Sequence, residues 1–252
     1  MKILVFDLFG KFACFRKIYT NTSTRSYLYP PRTTISGIIA AILGMDFDSY
    51  YTKFNLENSI IGISIISKNR TIVQNINYIK IKTESDILNL DTKGYKYTQI
   101  PTEIIIPENF SKNIHFRIFF HSNDGNVMEE LKRKLIDNNP YYPISLGFAN
   151  MLGYSKFIDE GEYCKTESHD FIPISSPVSL DSIENIHLNG EIMKDILPLF
   201  FDEKRIPHTK EYIFERNGHT MEVKTNKKII KVSYKIDGHE YVDNLILPEV
   251  SE

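Results

Sequence analysis

Residues 20–44 read T-N-T-S-T-R-S-Y-L-Y-P-P-R-T-T-I-S-G-I-I-A-A-I-L-G, and the order of the parts in this run shapes the reading of the whole chain. Thr20 to Ser26 is rich in hydroxyls, so it cannot supply a core face but suits bonding to phosphate or sugar oxygens. Pro30-Pro31 stiffens the chain, and Arg32, Thr33 and Thr34 bring a cation and two capping candidates to the start of a helix. Ile35, Ile38, Ile39, Ile42 and Leu43 then share one stripe, and Gly44 ends the run. A helix start carries free N–H groups and partial positive charge, so with Arg32 beside it the place suits a phosphate. Any one of these features fits an ordinary capped core helix; their succession favours an anion site.

The chain has 252 residues, enough for one large domain or two modest ones. With 42% apolar and 25% charged residues it is globular in composition. A net charge of −2 argues against a protein that coats nucleic acid indiscriminately. The charge is uneven, however. Among residues 1–44, Lys2, Lys11, Arg16, Lys17, Arg25 and Arg32 face a single acid, Asp7. A local basic face fits one specific anionic partner. Cys14 and Cys164 match no zinc or redox spacing. Asp7 interrupts the first apolar run, which is therefore not a signal peptide, and no run approaches the ~20 residues needed to span a bilayer. The expected setting is the cytoplasm, with no membrane partner.

Lys2 to Phe9 is expected as a strand apolar on both faces, hence central and doubly covered. Helices are expected over 35–43, 48–54 and 124–138, the last capped by Asp124, and strands over 59–67, 71–83, 99–106 and 114–121. Residues 84–98, ending in K-G-Y-K-Y, would form a hairpin tip. With a further strand near 154–159, the order is that of a ferredoxin-like βαββαβ sheet. Beyond about 165 the pattern changes to short strands with one helical run at 190–201, and Asp237-Gly238 marks a hairpin turn. The expected class is α+β: a ferredoxin-like domain over 1–165 with an inserted hairpin at about 80–100, and a smaller β-rich lobe over 166–252.

The chain contains no phosphate-loop, dinucleotide, zinc-protease or serine-hydrolase motif. Its seven histidines are scattered singly, so neither a metal nor a cofactor is expected. The positive signals concern binding. Arg16, Lys17, Arg25 and Arg32 lie among Phe12, Phe15, Tyr19, Tyr27 and Tyr29, offering cations for phosphates and flat rings for unpaired bases. Metal-free RNA cleavage, by contrast, needs only a base, an acid and a cation that converge in space, and leaves almost no linear trace.

F-D-L-F-G-K-F-A-C-F-R-K (6–17), the run at 20–44, Q-I-P-T-E-I-I-I (99–106) and Y-Y-P-I-S-L-G-F-A-N (141–150) together resemble the Cas-five proteins of type I CRISPR systems, members of the RAMP superfamily, and within them the type I-B branch. The resemblance covers roughly residues 1–165. It implies a ferredoxin-like (RRM-like) domain, with a hairpin thumb, that caps the 5′ repeat-derived handle of the CRISPR RNA in the Cascade surveillance complex. The implied partners are the CRISPR RNA, the backbone (Cas-seven family) subunit, the large (Cas-eight family) subunit and, through the complex, target DNA. Carried over by position, Arg16 and Lys17 match the basic pair after the first strand. Asn21, Thr22, Ser23, Thr24, Arg25 and Tyr27 match the loop facing RNA, and Arg32, Thr33 and Thr34 match the helix entry. Gly147 and Asn150 match the glycine loop near the handle, and Lys93, Tyr95, Lys96 and Tyr97 fall on the thumb. A similar branch, type I-C, cuts precursor RNA itself. The expectation is a non-catalytic subunit, with a metal-independent endoribonuclease as the rival.

Overall fold

Ile3 and Val5 project from one side of the first strand and Leu4, Phe6 and Leu8 from the other, and all five are buried. Such a strand is stable only with cover on both faces. In the computed structural model, which describes residues 1–79, 81–88, 97–202 and 204–248, it is β1 (Lys2–Gly10) and lies inside a six-stranded sheet. From one edge the order is β16 (His239–Ile246), β15 (Ile229–Ile236), β8 (Gly153–Thr166), β1, β7 (Ile114–Ser122) and β4 (Ser59–Ile65), each antiparallel to its neighbours.

One face carries both main helices. Leu4, Phe6, Leu8, Phe116, Ile118 and Phe120 pack against α1 (Arg32–Leu43) and against Val127, Leu131 and Leu135 of the helix Gly125–Ile136. The α1 stripe of Ile35, Ile38, Ile39, Ile42 and Leu43 is buried as its spacing predicts. Each of these side chains contributes about 1.5–3 kcal/mol by leaving water. Gly44, at φ 77°, ends the helix in the left-handed conformation, and the Met45 amide bonds back to the Ala40 carbonyl. Asp124 caps the second helix by accepting from the Asn126 amide at 3.0 Å.

On the opposite face Ile3, Val5 and Phe119 meet Tyr163, Val232, Tyr234 and Leu245. The sheet curls until its two edges meet. A Cβ on Gly62 of β4 would stand 2.7 Å from Leu245 Cδ1 of β16. One charged cluster lies within this curl. Arg117 grips Asp7 with two hydrogen bonds, Nε to Oδ1 at 2.7 Å and Nη2 to Oδ2 at 2.9 Å. Its Nη1 donates to the Tyr234 hydroxyl, which donates to Asp243 Oδ2 at 2.5 Å. His115 Nε2 stands 2.8 Å from Asp7 Oδ2, and its ring stacks on Phe9 at 4.3 Å.

A separate antiparallel pair is formed by β5 (Asn69–Ile79) and β6 (Tyr97–Pro107), with the short α2 (Glu84–Leu88) between them in the chain; these strands flank most of the segment expected as a hairpin at about 80–100. In chain order the helix Gly125–Ile136 is α3. The remaining strands make two small three-stranded sheets. One holds β9 (Ile172–Ile174), β11 (Asn185–His187) and β14 (Met221–Lys224). The other holds β10 (Val178–Ser179), β12 (Ile192–Phe201) and β13 (Pro207–Glu215). No described helix is long and apolar enough to cross a membrane.

Three local expectations are corrected. The run at 190–201 is a strand, not a helix. Pro198 lacks the N–H a helix interior needs, whereas β12 is an edge strand whose register shifts between Pro198 and Phe200, where a proline is tolerated. Residues 48–54 form turns, because Asp48 is held at φ 63°, a conformation that cannot propagate a right-handed helix. Thr33 and Thr34 do not cap α1; the helix begins at Arg32, Pro31 holds the cap position, and no side chain caps the first turn. Beyond residue 165, β15 and β16 extend the main sheet through β8.

Asp7 dictates a pH dependence. Burial pushes its carboxyl up, but hydrogen bonds from His115 and Arg117, with the Arg117 charge, outweigh this and hold it below the ordinary 3.8. A carboxyl lowered in the folded state stabilises fully above its unfolded pKa, and that contribution drains away as pH falls through the folded value. Asp7→Asn should therefore lower stability by about 3–5 kcal/mol at neutral pH and flatten the loss of stability below pH of about 4. Denaturant melts between pH 2 and 7 measure both; a variant with the native acid limb contradicts the assignment.

Candidate nucleic-acid interface

Leaving β1, the chain is fastened at each step. Lys11 Nζ donates to the Phe110 and Lys112 carbonyls, and Ala13 exchanges backbone bonds with Ile105 of β6. Then β2 (Phe15–Arg16) pairs with β3 (Ser26–Tyr27) as a small ribbon. Two-residue strands do not stand alone in water. This ribbon is carried by bonds from the Thr24 amide to the Pro101 carbonyl and from the Glu103 amide to the Thr24 carbonyl. The Ser26 amide donates to Glu103 Oε2, and the Phe15 amide to Ser26 Oγ. Beneath it, Cys14, Ile104, Ile106 and Met151 form a small apolar cluster that joins the hairpin base to the loop before β8.

That loop contains Gly147. Its φ is 120°, and a Cβ there would fall 2.0 Å from the Cys14 carbonyl oxygen. The glycine makes room for the chain's own backbone, since the Cys14 amide bonds to the Leu146 carbonyl at 2.9 Å. Asn150, in the same loop, is exposed.

The expected binding residues therefore separate into groups. Arg16, Asn21, Thr22 and Arg25 are exposed on the ribbon and its connecting loop, Ser23 is half-buried, and Arg16 Nη2 donates to the Thr20 carbonyl. Thr24 and Tyr27 are buried, so the Tyr27 ring is not open to a base. Lys17 is half-buried and joins Asp195 of β12 at 2.6 Å. Burial alone would lower its pKa, and the Asp195 bond raises it, so Lys17 stays charged but already neutralised. Tyr19 donates to the other oxygen of Asp195 at 3.1 Å, and its ring is exposed, as is that of Phe12. Phe15 and Tyr29 are core.

Arg32 is set apart from the ribbon. Its Nη2 donates to the Asn55 and Ser59 carbonyls and to Ser59 Oγ, with Thr33 and Thr34 half-buried in the same helical turn. Burial pushes its pKa down to about 10. On the hairpin, Tyr97 is exposed at the start of β6, while Lys93, Tyr95 and Lys96 lie outside the described residues. The cluster of Asp7, His115 and Arg117 was illegible in sequence. In sequence His115 is one of seven scattered histidines, and a strand pattern does not reveal that a sheet curls over its own second face.

The family model Cas_Cas5d, described as "CRISPR-associated protein (Cas_Cas5)", matches residues 3–229. No curated protein matches by sequence. Among solved structures, a CRISPR protein from Archaeoglobus fulgidus is similar with a TM-score of 0.54 at 13% identity, over 96% of this chain and 99% of that one. A chain of a CRISPR RNA-guided surveillance complex is similar at 0.51 and 11% identity, over 88% and 91%. A chain of the type III-B Cmr-beta complex bound to cognate target RNA and AMPPnP is similar at 0.51 and 12%, over 88% and 86%. At these identities the likeness concerns the fold.

The Gly147 contact carries its own test. Gly147→Ala should strain the loop against Cys14 by about 1–3 kcal/mol and lower hydrogen-exchange protection at the Cys14 amide. Unchanged protection and melting temperature contradict it.

Proposed function

Because the chain belongs to the Cas5 family of CRISPR-associated proteins, we propose that it is a non-catalytic subunit of a type I, I-B-like Cascade complex that binds and caps the 5′ repeat-derived handle of the CRISPR RNA. The observation that carries this reading is the ribbon. Arg16 and Arg25 stand exposed on a two-stranded platform held from below by backbone bonds, a buried cluster and a glycine contact. A backbone platform held in this way loses little freedom when it meets a bent single strand, and the exposed rings of Phe12 and Tyr19 add stacking surfaces. Asn21, Thr22 and Asn150 supply neutral groups for phosphate or 2′-hydroxyl oxygens.

The order β8-β1-β7-β4, with α1 and α3 on one face, supports a ferredoxin-like reading of the first half. The partners in this reading are the backbone and large subunits. Val73, Ile79 and Tyr97 on the hairpin are exposed apolar groups suited to a protein or RNA neighbour. Two histidines lie on β7, and each rests against groups of the fold itself. His115 packs on Phe9 beside Asp7, and His121 Nδ1 lies 2.8 Å from the Lys2 carbonyl.

Arg16→Ala with Arg25→Ala should weaken binding of repeat-derived RNA and make the dependence of log affinity on log salt shallower by about 1.4, at ~0.7 per lost phosphate contact. Labelled RNA incubated with the native protein and a chelator should remain whole. Unchanged affinity and salt slope remove the site, and a discrete cut near the handle replaces the reading with an endoribonuclease.

A further inference from the structure

Arg32 lies between two adjoining hollows. The inner one, of about 50 Å³, is walled by Tyr29, Leu197, Pro198 and Tyr212. The outer one, of about 350 Å³, has Lys165 and Lys228 among its lining, together with Glu57, Leu247 and Pro248. Ile61 and the Leu247-Pro248 pair border both.

Three features of this place call for an anion. The Arg32 guanidinium is held in a partly buried position by two carbonyls and a hydroxyl, all bonded to Nη2. Its Nε and Nη1 have no hydrogen-bond partner, and no carboxylate pairs with it, among the described residues. Lys165 and Lys228 are exposed at the mouth and likewise form no ion pair among the described residues. The third feature is independent of charge. Tyr29 lines the inner hollow, is 3% exposed, and its hydroxyl has no hydrogen-bond partner, a costly state for a buried polar group.

We propose that Arg32, Lys165 and Lys228 form a phosphate-binding cleft, a second anionic site lined by residues other than those of the ribbon. Three cations against Glu57 leave an excess of two positive charges, more than one carboxylate neutralises, and a phosphate presents several oxygens at once. With Nη2 already engaged, Arg32 can donate to one of them from Nη1, and the flexible lysines reach the remainder. This assignment does not require the ribbon to bind RNA. It also gives the buried cation a role beyond fastening the turn before β4, a task its Nη2 performs alone.

The test uses the full chain and inorganic phosphate as probe, followed by one short RNA carrying either a 5′-phosphate or a 5′-hydroxyl. Arg32→Gln is a poor first variant, because it also frees the Asn55 and Ser59 carbonyls. Lys165→Ala with Lys228→Ala removes only exposed side chains and should lower phosphate affinity by about tenfold or more in calorimetry. Arg16→Ala with Arg25→Ala should leave phosphate affinity unchanged. If the lysine pair discriminates against the 5′-phosphate RNA alone, the cleft takes a strand terminus; an equal loss for both RNAs assigns it an internal phosphate, and either supports the proposal. Phosphate binding that ignores the lysine pair overturns it, as does an acidic peptide that binds there when phosphate does not. Phosphate binding retained in a chain that fails to bind RNA sinks the ribbon reading and leaves the cleft standing.

Discussion

Asp7 is the one carboxylate on a strand otherwise buried through apolar side chains on both faces, and Arg117 matches it with two parallel hydrogen bonds. Taking one member of such a pair away leaves an uncompensated charge beneath the curl of the sheet. The pair also registers the architecture, because it joins β1 to β7 and, through Tyr234 and Asp243, to β15 and β16 on the far side of the curl. From this clamp the chain runs two residues further along β1 to Phe9, stacked between His115 and Tyr154, and then out to the ribbon.

The ribbon owes its shape to other elements. Its own pairing covers two residues on each strand, so its position is inherited from β6 and from the Gly147 loop. This arrangement divides the nearby cations by role. Lys17 is consumed in a strut to Asp195, Arg32 is sunk in a separate cleft, and Arg16 and Arg25 face solvent. A scaffold that spends some basic residues on itself and leaves others free is consistent with a protein of near-neutral net charge that grips a strand at one place.

The elements with strong periodicity were legible from sequence: β1, α1, β7 and α3 emerge where their apolar spacing puts them. The errors fall where spacing carries little information. Ile192, Ile196 and Leu199 mimic a helical stripe, and Pro198 was the clue that outweighs them. Nothing in the sequence around Asp48 marks its positive φ. Nothing in β15 announces that it joins β8, because pairing between distant strands leaves no local mark. At the site, sequence grouped Tyr27 with the exposed residues, since it cannot tell a ring in a ribbon's core from one on its surface. Gly147 was matched to a glycine loop near the handle, and the group that crowds it is the Cys14 carbonyl.

Crosslinking repeat-derived RNA to the full chain, followed by mass spectrometry of the adducts, tests the ribbon account most directly. The account places adducts on the segment from Phe12 to Arg25 and on the loop around Asn150. Adducts confined to the small sheet of β9, β11 and β14, with none on the ribbon, contradict it.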